Sequence, residues 1–134
     1  MAIKVSYRQE NDILMTFVTG DRSGKESINY WQEIINKCHH ERKNKVLVAM
    51  ALRGKFLPFE AIEIYQTIIE MLKHSELQVA LVDLNHLSAS DSQVACNMAV
   101  SQGINISYFD SELAALEWFS NNHSNQNNPI EKSA

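Results

Sequence analysis

The feature that most constrains this chain is the order of its hydrophobic periodicities: two strand-like segments adjoin at the start, and helical and strand patterns then alternate as far as Phe119. Over residues 3–8, Ile3, Val5 and Tyr7 alternate with Lys4, Ser6 and Arg8, the period of a strand with one buried face. Gln9-Glu10-Asn11-Asp12 reads as a turn. Ile13 to Thr19 is almost continuously apolar or β-forming, the pattern of a strand covered on both faces, and Gly20 ends it. A hairpin therefore opens the fold.

From about Lys25 to Arg42, Ile28, Trp31, Ile34, Ile35 and Cys38 recur at helical spacing, with Ser23 or Gly24 placed to begin the helix. Lys45 to Leu52 is a second buried strand. It runs into Arg53-Gly54-Lys55-Phe56-Leu57-Pro58, a loop whose proline starts the next helix, Pro58 to about Lys73. That helix carries Ala61, Ile62, Ile64, Tyr65, Ile68, Ile69, Met71 and Leu72, an apolar arc wider than an ordinary surface helix needs, so a cover beyond the sheet is expected.

Gln78 to Leu84 is a third buried strand, followed by the polar loop His86 to Asp91, in which Ser90 or Asp91 is placed to cap a helix over Ser92 to Gln102. Gly103 stops that helix. Ile104 to Phe109 is the last strand, and Asp110 or Ser111 caps a helix in which Leu113, Leu116 and Phe119 share a face. Ser120 to Ala134 is polar and asparagine-rich, the composition of a disordered tail.

The predicted order is β-β-α-β-α-β-α-β-α. Strands joined through single helices must be parallel with right-handed crossovers, which gives an α/β fold: a mixed, mostly parallel sheet flanked by helices, the first strand an antiparallel edge. A length of 134 residues with 45% hydrophobic side chains suits one such domain, residues 1–119, plus the tail 120–134.

Composition narrows the function classes. A formal net charge of -4 argues against nucleic acid or an anionic membrane as partner, since either needs a basic excess on one face. Arg42, Lys43 and Lys45 are the local exception and read as a solvated connection. Cys38 and Cys96 sit apart inside apolar helical patterns, which predicts buried, reduced thiols. Met1 to Val5 lacks the layout of a secretory leader, and the longest apolar run, Val46 to Leu52, is too short to span a bilayer. The expectation is a cytoplasmic protein without integral membrane association.

The ending Ile106-Ser107-Tyr108-Phe109-Asp110, followed by Glu112, Ala115, Leu116 and Trp118, resembles the usual C-terminus of the SpoIIAA-like proteins. The element order and the central Val79-Ala80-Leu81-Val82-Asp83 strand extend the likeness over about residues 3–119. This family is related in fold to the STAS domains of anti-sigma-factor antagonists and sulfate transporters. The resemblance implies a small interaction module whose better-known relatives are switched by phosphorylation of a serine after the third strand. Here Ala51 to Pro58 contains no hydroxyl residue, so that serine has no counterpart. Sec14-type lipid-binding domains, also related in fold, imply a second expectation, a carrier or sensor of a small apolar, lipid-like molecule.

Other constellations read more plainly as structure. Ser90-Asp91-Ser92 caps a helix, though phosphate at Ser90 or Ser92 would be tolerated electrostatically at a helix start. Asp83, His86 and Ser88 or Ser92 could be drawn as a hydrolase triad, but no Gly-x-Ser-x-Gly elbow accompanies them. His39 and His40 diverge by about 100° on a helix and suit a C-terminus better than a metal. Gly20 to Lys25 has one residue too few between its glycines for a phosphate loop, and Glu26 stands where Ser or Thr belongs.

The reading is thus of a non-enzymatic module without metal or cofactor. Its candidate partner or ligand surface is Arg53, Lys55, Phe56 and Phe59, with a homodimer, another protein or an apolar small molecule as occupant. The two aromatics either tuck under the loop or stand exposed beside the two cations, as interface anchors do.

Overall fold

The computed structural model describes residues 2–127. Its elements are β1 (Lys4–Glu10), β2 (Ile13–Asp21), α1 (Gly24–His40), β3 (Lys45–Arg53), α2 (Pro58–Lys73), β4 (Gln78–Asp83), α3 (Ala89–Ser101), β5 (Asn105–Phe109) and α4 (Glu112–Asn127). The five strands form one sheet in chain order, β1-β2-β3-β4-β5. β1 pairs antiparallel with β2, and every later pair is parallel, as predicted.

Consecutive parallel strands with right-handed crossovers must place α1, α2 and α3 on the same face of the sheet. The alternation of β3 shows it. Val46, Val48, Met50 and Leu52 join the core with Trp31 and Ile34 of α1, Ile69 and Leu72 of α2, and Cys96 and Ala99 of α3. Leu47 and Ala49 point the other way, into a smaller core with Met15, Ala80 and Val82 that Ala115 and Phe119 of α4 close. Burial on both faces is why β3 and β4 read as unbroken apolar runs.

The boundaries differ from the sequence reading where local chemistry was ambiguous. The β1–β2 turn is tighter than Gln9 to Asp12, because Asn11 adopts a left-handed φ of 57° and lets pairing run to Glu10↔Ile13. Arg42, with φ 57°, ends α1 just past its cap at Glu41. Ser23 caps α1 by accepting the Glu26 N–H, and Ser111 caps α4 by accepting that of Ala114. α3 starts at Ala89, ahead of the predicted Ser92, with Ser88 rather than Ser90 or Asp91 at the cap position. α4 does not stop at Phe119: its backbone is helical to Asn127, so the first part of the expected tail is helix, and residues 128–134 lie outside the described residues.

α2 covers less of its apolar arc than its composition led us to expect. Ile64, Ile69 and Leu72 are buried, whereas Ile62 within the arc is exposed, as is Phe59 outside it. Its N-terminal half presses on the start of α1, where a Cβ on Gly24 would lie 2.5 Å from Ile64 Cδ1. A glycine permits that approach.

Candidate functional site

The chemistry-bearing residues gather at the carboxyl ends of β2, β3 and β4, where open α/β sheets present their loops. Asp83 closes β4, and its side chain is fully buried. Ser92 Oγ donates to Asp83 Oδ2 at 2.6 Å, and Ser88 Oγ donates to the same oxygen at 2.9 Å. The Asn85 N–H donates to Oδ1 at 3.0 Å. Arg22, just past β2, supplies the countercharge: its Nη2 lies 3.6 Å from Asp83 Oδ2 and donates to Ser88 Oγ at 3.0 Å.

Arg22 also braces the loop after β3. Its Nε donates to the Gly54 carbonyl at 3.0 Å, and its backbone N–H donates to the Arg53 carbonyl at 2.8 Å. The guanidinium stands 5.5 Å over the Phe56 ring, which meets Tyr65 edge-on at 6.0 Å. Asn85 Nδ2 ties the next loop to this one by donating to the Leu52 carbonyl at 2.8 Å, and Lys55 pairs with Asp91 at 3.2 Å. Two neighbouring loops are thus fixed to each other and to a buried ion pair.

The predicted surface residues divide across this frame. Arg53 is exposed and pairs with Asp21 at 2.8 Å, and Phe59 is 80% exposed. Phe56 is half-buried and faces inward, as the tucked alternative has it. Leu57, Leu84 and Leu87, not singled out from the sequence, are exposed around the same loops, Leu87 at 76%. An open depression runs between Arg53 and Gly54 on one side and Leu84 and Leu87 on the other.

Of the two serines considered for modification, Ser90 is exposed, but Ser92 is buried with its hydroxyl on Asp83. A phosphate on Ser92 would set its charge against that carboxylate, so the structure disfavours modification there. The drawn triad does not form either, because Asp83 bonds both serines directly while His86 points to solvent. His39 Nε2 lies 3.2 Å from the Ser75 carbonyl, and among the described residues no cluster of three metal-type ligands occurs.

Beneath the loops, between α1, α2, α3 and the sheet, lies a cavity of about 70 Å³. Arg22, Phe56 and Tyr65 line it on the loop side, and Trp31, Met50, Leu81, Cys96 and Ile106 line it within. Tyr30 donates to Met50 Sδ at 3.4 Å, and its phenol is pushed up to about 12 by burial, tempered first by the Arg22 charge. Burial also pushes the Cys96 thiol up to about 12, which keeps it a protonated, unreactive wall. Ser27 Oγ lines the cavity with no partner of hydrogen-bond geometry, although it lies close enough to Tyr30 to favour the phenolate.

This architecture is that of the SpoIIAA-like α/β proteins: a small mixed sheet with three helices on one face and one on the other. A crystal structure of similar fold is an uncharacterised DUF3478-family protein with a SpoIIAA-like fold from Shewanella loihica, matched at a TM-score of 0.50 and 16% identity over 87% of this chain and 92% of that one. At that identity the likeness concerns the fold alone. No protein-family model matches the chain, and no curated protein matches it either. No helix among the described residues is long and apolar enough to cross a membrane.

Proposed function

We propose that this protein is a non-enzymatic interaction module of the SpoIIAA-like type, working in the cytoplasm. Its binding surface is the pair of loops after β3 and β4, and its first partner is a second copy of the chain. The observation that carries the reading is exposed apolar side chains on loops that are locked in place and on the helix start that adjoins them. Leu57, Phe59, Leu84 and Leu87 face solvent, while Arg22 and Asn85 fix the backbone beneath them. Preorganised loops lose little entropy on binding, and aromatic side chains beside arginine are the usual anchors.

The charges favour self-association. Arg53 and Lys55 are each answered by a carboxylate within the chain, Asp21 and Asp91, so a two-fold contact through this face brings no net like charge together. The non-enzymatic part rests on the polar cluster, where the side chains of Asp83, Ser88, Ser92 and Arg22 are directed at one another. A carrier of whole lipids has weaker support, since about 70 Å³ falls well short of the roughly 300 Å³ at which ligand pockets begin.

Light scattering over a dilution series tests this on the wild type, Phe59→Asp and Leu87→Asp. Both substituted side chains are exposed, so the variants should melt like the wild type while the wild-type dimer becomes monomeric. A wild type that is monomeric at every concentration, or a dimer that both charges leave intact, overturns the proposal. Phe56→Asp is unsuitable because that ring is half-buried against Arg22 and Tyr65.

A further inference from the structure

We infer that the open edge of β1 is a second interaction surface, which pairs antiparallel with β1 of another copy across a two-fold axis at Tyr7 and joins two five-stranded sheets into one. The inference is independent of the loop face. β1 is the outermost strand, with β2 as its one neighbour. Its seven residues run in unbroken register from Lys4↔Thr19 to Glu10↔Ile13, without a bulge or a proline, so the backbone groups on its outer side form a regular template for another strand.

Charge selects both the occupant and the register. Ile3, Val5 and Tyr7 pack on the larger core, so a two-fold that keeps both α1 helices on one side of the joined sheet must pair odd residues with odd and even with even. Centred on Ser6, it would set Lys4 against the partner's Arg8; centred on Arg8, it would set the two arginines against each other. Such like-charge contacts are how edge strands repel one another. Centred on Tyr7, it overlaps all seven residues and sets Lys4 against the partner's Glu10 at both ends. Glu10 already takes Arg8 at 3.0 Å through Oε2, and a carboxylate has a second oxygen for the lysine.

α1 repeats the match above the strand. It runs alongside β1 in the same direction, since Tyr7 donates to Glu33 and Gln9 donates to Glu41. Lys37 Nζ stands 5.5 Å over the Tyr7 ring, so Glu33 and Lys37, one helical turn apart, straddle the axis. The two-fold therefore faces Glu33 with the partner's Lys37, twice over. Seven strand residues a side fall short of the roughly 20–30 of a stable interface, so this contact sets in at higher protein concentration than the loop face.

Sedimentation equilibrium at NMR concentrations, on the full chain carrying Phe59→Asp to disable the loop face, reads the edge alone. A dimer is expected whether or not the loop face pairs. Lys4→Glu and Glu10→Lys should each weaken it about tenfold, and the two together should restore it; both side chains are exposed, so the fold is kept. In the same background, Ser6→Cys mixed with Arg8→Cys should give the mixed disulfide in preference to either homodimer, because these residues lie opposite each other, while the buried Cys38 and Cys96 stay reduced. The inference is overturned by a chain that stays monomeric, by an association that the charge exchange does not restore, or by homodimers that cross-link as fast as the mixed pair.

Discussion

Arg22 and Asp83, a buried ion pair, face each other at 3.6 Å with side chains 6% and 0% exposed, and through them the loops after β2, β3 and β4 become one unit. The pair is not alone: Asp83 also accepts from Ser88, Ser92 and the Asn85 N–H, while Arg22 donates to Gly54 and stacks on Phe56. Buried ion pairs add little over an apolar substitute, but removing one member strands the other charge.

Arg22→Met should therefore destabilise the protein by about 3–5 kcal/mol, read from urea unfolding followed by tryptophan fluorescence. Adding Asp83→Asn should recover part of that loss, because the stranded charge is then gone while its hydroxyl donors keep an acceptor. If Asp83→Asn costs as much in the Arg22→Met background as in the wild type, the two side chains do not interact.

Gly20 meets the first residues of the chain so closely that no side chain fits. Its φ is +125°, and a Cβ there would lie 2.6 Å from the Ala2 carbonyl oxygen and 2.9 Å from Ile3 Cα, both backbone atoms that cannot rotate away. Strain at such a φ alone costs about 1–3 kcal/mol. Gly20→Ala should lower stability by at least that much and loosen the β1 edge, seen as faster amide exchange from Lys4 to Tyr7. A melting temperature within a degree of wild type would contradict this contact.

Alkaline pH should unfold this protein earlier than its charge balance suggests. Burial pushes the thiols of Cys38 and Cys96 from 9.0 to about 12, and it pushes the Tyr30 phenol from 10.0 to about 12. Unfolded thiols begin losing protons near pH 9, whereas folded ones hold theirs, so between these values the native state binds more protons and stability falls as pH rises. Each group contributes at most about 1.4 kcal/mol per pH unit in its window. Urea midpoints should stay level from pH 7 to 8.5 and drop at pH 10. Neither thiol should react with a disulfide reagent at pH 8 until denaturant is added.

The sheet was legible in the sequence because burial on both faces leaves an unmistakable apolar run in β3 and β4, and helices between strands fix the topology. The start of α3 was not. Ser88, Ser90 and Asp91 are all capping residues, and the position fell to Ser88, whose hydroxyl serves Asp83 instead of the helix. The polar cluster was half visible. Asp83 follows the apolar run Val79 to Val82, which signals a partnered carboxylate, but Arg22 sits in a glycine-flanked stretch that was weighed only as a phosphate loop. Nothing local joins them, since the pairing exists only once β2, β3 and β4 are side by side.

Thr16 offers the clearest gain in stability. It lies in the middle of β2, fully buried, opposite Val48 of β3, and its hydroxyl has no hydrogen-bond partner. Its parity along the strand is that of Leu14 and Val18, which belong to the larger core under α1, so the hydroxyl is surrounded by hydrocarbon. Thr16 does not line the cavity under the helices, so nothing held there reaches it. Valine has the same branched shape with a methyl in place of the hydroxyl, keeps the rotamer preference of a strand, and removes an unpaired polar group whose burial costs roughly 1–3 kcal/mol. Part of that is offset because the unfolded threonine is better hydrated than valine, so Thr16→Val should stabilise by about 1 kcal/mol, raising the melting temperature by several degrees. A loss of stability would mean that the Thr16 hydroxyl is bonded in solution, and that β2 sits differently against α1 than its pairing with Val48 requires.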